Sequence, residues 1–192
     1  ALGTICDVVP LVGANRALVK QGLRVMSKRQ NNGINALFEV SEIEDVPSVF
    51  HAGFLLGPRI NAGGRVGESS LGSKLLTTDN KNEAKEISYH LNELNEERKQ
   101  LEADVLDQAK ILALGQESDE ILVLSSKNWH PGVIGIVASR IVELYNKPTI
   151  IITENGMNSK GSGRSIAGKD LGRLITAAKQ SDVIINGGGH PM

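Results

Sequence analysis

The sequence predicts an α/β protein in which one long helix joins a mainly helical N-terminal part to a small α/β C-terminal domain. Residues 81–115 carry the longest helical periodicity of the chain, with apolar residues recurring at alternating steps of three and four. Residues 1–80 show shorter helical patterns, whereas residues 116–192 alternate short β-branched runs with helical ones. These patterns predict an N-terminal part of residues 1–80, a connecting helix of residues 81–115 and a C-terminal domain of residues 116–192.

The N-terminal part opens with an apolar, strand-like segment that leads to Asp7, and a helix is predicted over residues 13–29. Four cations fall at steps of four along this helix and therefore on one row of its surface. They are Arg16, Lys20, Arg24 and Lys28. No acidic residue occurs between Asp7 and Glu39, so the row has no partner nearby in sequence, although a solvated helix face is the commoner explanation of such a row.

Two further helices and a loop are predicted before the connecting helix. Residues 45–56 form a short helix that Gly57 and Pro58 end, a glycine-rich loop follows, and another helix starts near Ser69. The connecting helix would be roughly 45 to 50 Å long, longer than a small domain is wide, and is therefore expected to tie two domains together. A coiled-coil dimer is the alternative, but the apolar pattern is interrupted at Arg98.

The C-terminal domain is predicted to alternate strands and helices. The predicted strands are EILVLSS, PTIIIT, KGSGRSI and DVIIN, and the predicted helices are residues 131–145 and 170–179. Glycines lie at several of the strand ends, where open α/β sheets usually build their binding sites.

Composition excludes several classes of protein. The net charge of −1 argues against a protein that coats nucleic acid through bulk positive charge, and an aromatic content of 3 % leaves no array of base-stacking platforms. The single cysteine, Cys6, excludes an internal disulfide, and no apolar run approaches the roughly 20 residues that span a bilayer. We expect a cytoplasmic location and no membrane contact. Both ends read as cut from a longer chain.

Asp7 is the first candidate for chemistry. A carboxylate directly after an apolar, strand-like segment is well placed to bind a hard divalent cation. A lone aspartate more often caps a turn or a helix, so the residue by itself is weak support for a metal site.

A second candidate is the stretch GPRINAGGRVGESS, in which Arg59 and Arg65 bracket Asn61. Glycine lets a backbone approach a ligand closely, and guanidinium groups bind phosphate oxygens in pairs. The stretch is therefore predicted to be a phosphate-binding loop, the alternative being a plain connector between helices.

The remaining candidates lie in the C-terminal domain. In NWHPGVIGIVASR, a helix predicted to start at Pro131 follows His130, so its free N–H groups would face the end of the preceding strand. KGSGRS and NGGGH each place polar donors among glycines at a strand end, an arrangement suited to an anion. The predicted phosphate-binding residues here are His130, Ser162, Arg164, Ser165, Gly188, Gly189 and His190. Tight turns and helix packing are the alternative explanations of the glycines.

Taken in order, ALGTICDVVPL, GPRINAGGRV, LNELNEERKQLE, WHPGVIGIVASR, KGSGRS and GGGH resemble the DHH phosphoesterase superfamily, most closely its 5′ to 3′ exonucleases of single-stranded DNA. The resemblance runs over the whole chain. It implies that residues 1–80 are the C-terminal part of a DHH domain and residues 116–192 a DHH-associated substrate-binding domain. It also implies that Asp7 is a catalytic, metal-binding residue and that the arginine, serine, glycine and histidine positions bind phosphates.

The resemblance further implies two manganese or magnesium ions, single-stranded DNA as substrate, and recombination and repair proteins as further partners. The superfamily's early aspartate pair and its Asp-His-His triplet are absent from this sequence, as is an OB-fold domain. We therefore expect the chain alone to lack nuclease activity and to bind single-stranded DNA weakly. An oligoribonuclease, a cyclic-dinucleotide phosphodiesterase and a non-catalytic replication scaffold are the alternative functions.

Overall fold

The computed structural model describes residues 1–156 and 158–192. The α-helices among these residues are Leu2–Cys6 (α1), Gly13–Met26 (α2), Asn32–Val40 (α3), Gly57–Val66 (α4), Leu71–Thr77 (α5), Lys81–Ala113 (α6), Ile134–Tyr145 (α7) and Leu171–Gln180 (α8). A π-helical segment covers His51–Leu56 and a 3₁₀ turn covers Leu114–Gln116. The strands are Leu122–Ser126 (β1), Thr149–Thr153 (β2) and Lys160–Arg164 (β3).

The chain forms two compact units, Ala1–Arg98 and Lys99–Met192, and the division falls inside α6. The predicted long helix is thus confirmed, and its residues enter two separate cores. Ala84 and Leu91 are buried in the first core, whereas Val105 and Ala109 are buried in the second. No helix in the described part of the chain is both long enough and apolar enough to cross a membrane.

The segment before Asp7 is a helix, so the prediction of a strand-like segment is wrong. Its main-chain groups bond locally: the Ile5 N–H donates to Ala1 O and the Asp7 N–H donates to Gly3 O. Ile5 is buried, and it packs in a small apolar cluster with Val19 of α2 and Ala52. Packing on neighbouring helices therefore outweighs the β-forming tendency of its branched side chains.

The predicted helix of residues 13–29 is present as α2 and ends a little earlier than expected. Arg29 has φ of 51°, in the left-handed region, and its guanidinium donates to Ile43 O at 2.8 Å. The next helix, α3, was not predicted individually. Asn31 caps it, with its Oδ1 accepting from the Ile34 N–H at 2.9 Å.

The prediction that Gly57 and Pro58 end a helix is wrong, and so is the glycine-rich loop after them. Residues 49–66 are helical throughout, with the π-helical segment passing directly into α4. The Gly57 N–H bonds to Ala52 O, five residues back, and Pro58 follows where the helix returns to its ordinary register. Pro58 has no N–H, but it lies in the first turn of α4, where a helix tolerates proline, so it does not break the helix.

The second unit is a three-stranded sheet in the order β1-β2-β3. β1 and β2 are parallel, with Leu124 opposite Ile151, and β3 is antiparallel to β2, with Ser162 opposite Ile151. The predicted strands EILVLSS, PTIIIT and KGSGRSI are thereby confirmed. α7 packs on β2 and β3, and its Val137 and Ile141 are fully buried.

The predicted strand DVIIN is not a strand. Its residues form turns and bends after α8, and Val183 and Ile185 are exposed by 74 % and 85 %. Asp182 has φ of 55°, and the Val183 N–H bonds back to Ala178 O at the end of α8. The apolar run is therefore not sufficient to form a strand. Its first N–H group, that of Val183, bonds to the C-terminal end of α8 and not to a neighbouring strand.

Candidate nucleic-acid interface

The alternation of side chains along β3 separates its glycines from its polar residues. Gly163 lies against α8, since a β-carbon there would be 2.5 Å from Leu171 Cδ2. Ser162 and Arg164 point to the opposite face, because successive residues of a strand alternate between faces. This is the face on which α7 packs.

Ser162 and Arg164 meet the first turn of α7 at Gly135. A β-carbon built on Gly135 would lie 3.0 Å from Ser162 Oγ and 3.6 Å from Arg164 Nη2. The sequence had suggested only helix packing for this glycine. In the structure the packing is onto β3, and the missing side chain lets the start of the helix lie against these two polar side chains.

The main chain of α7 presents N–H groups at the same place. Its first main-chain bonds run from the Ile136 and Val137 N–H groups to Val133 O, at 2.9 and 3.0 Å. The N–H groups of Ile134 and Gly135 come before these bonds, at the positive end of the helix. The helix begins three residues later than predicted, at Ile134 and not at Pro131.

The loop before α7 is held from two sides. Trp129 is 2 % exposed, and its Nε1–H donates to Gln108 Oε1 at 3.0 Å. Thr153 Oγ1 donates to Trp129 O at 2.6 Å. In the following turn, His130 Nδ1 accepts from the Gly132 N–H at 3.1 Å, which leaves the proton of the neutral ring on Nε2.

Arg164 is exposed and Ser165 is buried. One guanidinium nitrogen of Arg164, Nη1, donates to Gly163 O at 2.8 Å, and the side chain otherwise lies at the surface. The Ser165 hydroxyl donates to Lys169 O at 2.6 Å, and its N–H donates to Met192 O at 2.7 Å. Ser165 thus holds the end of β3 to the tail of the chain, and its contact with phosphate stays a prediction.

The NGGGH segment is seated on the start of α8. A β-carbon on Gly172 would lie 2.9 Å from His190 O and 3.0 Å from Gly189 O. By contrast, a β-carbon on Gly188 or Gly189 would meet nothing within 4 Å, and neither has a positive φ. The fold therefore needs glycine at Gly172, whereas neither neighbours nor backbone angles require it at Gly188 and Gly189.

The predicted phosphate-binding residues of the first unit lie on α4, so they form a helical surface and not a loop. Arg59 is half-buried; its Nε donates to Asn92 Oδ1 at 2.9 Å and its Nη1 to Leu55 O at 2.8 Å. Burial lowers the pKa of the Arg59 guanidinium, an effect that the nearby Glu96 charge opposes. Asn61 and Arg65 are exposed and four residues apart, hence one turn apart on the same face.

Asp7 is exposed, directly after α1. Within residues 1–156 and 158–192, no group of three or more His, Cys, Asp or Glu side chains is arranged to hold a metal ion. The donors of this chain therefore do not fit a complete two-ion site. The role of Asp7 as a metal ligand stays a prediction.

Comparison with known proteins gives the family. A family model described as the DHHA1 domain matches residues 118–192. The single-stranded-DNA-specific exonuclease RecJ of Salmonella typhimurium is 42 % identical over all of this chain, and RecJ of Thermus thermophilus is 36 % identical over 99 % of it. The chain belongs to the RecJ family. It spans about a third of the first of these relatives, 35 %, and 27 % of the second.

Solved RecJ structures agree with the fold. The crystal structure of Thermus thermophilus RecJ with Mg²⁺ matches 99 % of this chain with a TM-score of 0.88 and 36 % identity, over 29 % of its own length. A structure of exonuclease RecJ bound to manganese matches with a TM-score of 0.83 and 35 % identity, over 47 % of its own length. The fold class predicted from the sequence is thereby confirmed.

The contacts of two glycines and one aromatic pair in this chain were not predicted from the sequence. The sequence places Gly135 and Gly172 on predicted helices. Only the structure shows that Gly135 lies against Ser162 and that Gly172 lies against Gly189 and His190. Phe50 and Phe54 form a stacked pair with ring centroids 5.3 Å apart, exposed by 58 % and 70 %. Their spacing of four residues was the available signal, since it places both rings on one helical face.

Proposed function

We propose that this chain is the phosphate-binding part of a RecJ-type 5′ to 3′ exonuclease that acts on single-stranded DNA. The observation that carries the proposal is the meeting of Ser162, Arg164 and the first turn of α7 around Gly135. The match to RecJ relatives over the whole chain supports the same substrate.

The chemistry of this site suits a phosphodiester group. The exposed Arg164 guanidinium can donate two hydrogen bonds to phosphate oxygens, and the Ser162 hydroxyl and the Gly135 N–H can each donate one more. The Nε2–H of His130 is a further donor on the loop that leads into the helix. Contacts of this kind hold the backbone of a strand without reading its bases, as an exonuclease that degrades any sequence requires.

For the metal, we propose that Asp7 contributes one carboxylate to a site for manganese or magnesium ions whose other ligands belong to a longer protein. Bound divalent ions supply charge stabilisation and an activated water to phosphodiester hydrolysis. We expect no nuclease activity from the 192-residue chain itself. The test is incubation with Mn²⁺ and end-labelled single-stranded DNA; digestion by the pure chain that Asp7→Asn abolishes would contradict this expectation.

The binding proposal is tested by Arg164→Gln in the 192-residue chain. Loss of one phosphate contact should weaken binding to a fluorescent oligothymidine and make the negative slope of log K against log salt shallower by about 0.7. Arg164→Lys should keep most of the slope but lose affinity, because an ammonium group cannot form the paired bonds. Arg140→Gln, which removes an equal charge on α7 from a residue paired with Glu143, is the control. Equal effects of Arg164→Gln and Arg140→Gln would disprove the role of Arg164.

A further inference from the structure

α2 presents a row of cations to solvent. Arg16, Lys20 and Arg24 lie on the helix and Lys28 lies in the turn after it, and all four are exposed. Successive members on the helix are about 6 Å apart along the axis and rotated by about 40°. The buried residues of α2 are Val19 and Met26, and neither belongs to the row.

The row has no acidic partner. In the described part of the chain, none of its four members forms an ion pair, whereas Lys74, Lys85, Lys110 and Lys169 each pair with a carboxylate. Residues 8–38 contain five of the 21 basic residues and none of the 22 acidic ones. A chain with a net charge of −1 therefore concentrates unneutralised positive charge on one surface.

The fifth cation of this region is used differently. Arg29 stacks over the ring of Phe38, 4.4 Å from its centroid, and donates to Ile43 O. It stabilises the junction between α2 and α3 and is not part of the row. The row thus consists of the four residues that have no such structural contact.

We propose that Arg16, Lys20, Arg24 and Lys28 form a binding surface for the phosphate backbone of single-stranded DNA. The proposal rests on the proposed function, because it adds a contact in the first unit for the same substrate. Charge complementarity selects the occupant: the row consists of four exposed cations, which suits successive phosphates and not the base edges. Binding here is independent of base sequence and depends strongly on salt.

The test compares two fourfold variants of equal net charge. R16Q/K20Q/R24Q/K28Q removes the row, and K74Q/K85Q/K110Q/K169Q removes four cations that are paired. Binding to an oligothymidine of about 20 nucleotides is measured by fluorescence anisotropy between about 50 and 200 mM salt. The row variant should make the negative slope of log K against log salt shallower by about 2 to 3, whereas the control should leave it nearly unchanged.

Several outcomes overturn the proposal. Equal losses in both variants would show that bulk charge is responsible, and an unchanged slope in the row variant would show that the row does not bind the backbone. If the fourfold variant melts at a lower temperature than the parent chain, two double variants replace it. They are R16Q/K20Q and R24Q/K28Q, and each should give about half of the change in slope.

The same titrations separate this inference from the proposed function. If Arg164→Gln has no effect but the row variant does, the Arg164 site fails and the row stands. If Arg164→Gln weakens binding and the row variant does not, the row is disproved while the proposed function remains.

Discussion

Gly135 stands so close to Ser162 that a β-carbon on the glycine would lie 3.0 Å from the serine hydroxyl oxygen. That distance is shorter than ordinary van der Waals contact between carbon and oxygen. A side chain at position 135 would therefore press on the Ser162 side chain, and either that side chain or α7 would have to move. The glycine lets α7 lie directly against the two polar residues of the proposed phosphate site.

The first prediction concerns Gly135→Ala. The added methyl group should displace the Ser162 hydroxyl and weaken binding to single-stranded DNA about tenfold, equivalent to the loss of one charge-assisted hydrogen bond of roughly 1.5 kcal/mol. Alanine favours a helix over glycine by up to about 1 kcal/mol, and the atom it would press on is the end of a rotatable serine side chain and not main chain, so the chain should not unfold more easily. Anisotropy titration and urea unfolding measure the two effects.

Gly115→Ala is the matched control for this substitution. A β-carbon at Gly115 would meet nothing within 4 Å, so both affinity and stability should stay close to those of the parent chain. Unchanged DNA affinity in Gly135→Ala would show that the space beside Ser162 is not where phosphate binds.

The second prediction separates a structural glycine from a binding one. Gly172→Ala should destabilise the chain by about 1 to 3 kcal/mol, because its β-carbon would press on the carbonyl oxygens of Gly189 and His190. Gly188→Ala has open space and should leave stability unchanged while weakening DNA binding. Urea unfolding and DNA titration of both variants check this; a stable Gly172→Ala chain would mean that the NGGGH segment is not seated on α8.

The third prediction concerns the thiol of Cys6. Burial, and secondarily the negative charge of Asp7, raise the pKa of Cys6 above its ordinary value. The folded chain therefore holds this proton at pH values where the unfolded chain releases it, and the associated stability, present at lower pH, is lost as pH rises through the alkaline range. Alkylation by iodoacetamide at mildly alkaline pH should be slower in the folded chain than in urea.

Asp7→Asn tests the second cause of this shift. Removing the carboxylate charge should lower the pKa of Cys6 and speed alkylation modestly, while burial keeps the reaction slower than in the unfolded chain. A rate that is the same in folded and unfolded chains would contradict the half-buried position of the thiol. The Asp7→Glu variant, which keeps the charge, should react at nearly the parent rate.

The sequence predicted the parts of the fold whose patterns are long or strongly alternating. α6 follows from its regular apolar spacing, and β1 and β2 follow from short β-branched runs, because burial of one face dictates those patterns directly. Local composition misled the prediction at α4, where glycines that serve close helix packing suggested a loop. A β-carbon on Gly57 would lie 2.5 Å from Cys6 Sγ, a long-range contact that a local pattern cannot show.

The candidate site shows the same limit. Ser162, Arg164 and His130 could be selected from their sequence settings, because arginine, serine and histidine among glycines at strand ends suit an anion. Gly135 could not be selected, since its part depends on how α7 packs against β3. DVIIN was apolar enough to suggest a strand, yet its hydrogen bonds close α8 instead.

We expect single-stranded DNA to bind where α7 meets β3, and amide chemical shifts of the 192-residue chain measure this most directly. On titration with an oligothymidine, the signals of Gly135, Ser162 and Arg164 should shift progressively and return when salt is raised. The amide of Gly115, which lies in the 3₁₀ turn after α6, should stay in place. Saturable binding that leaves Gly135, Ser162 and Arg164 unshifted would contradict the account.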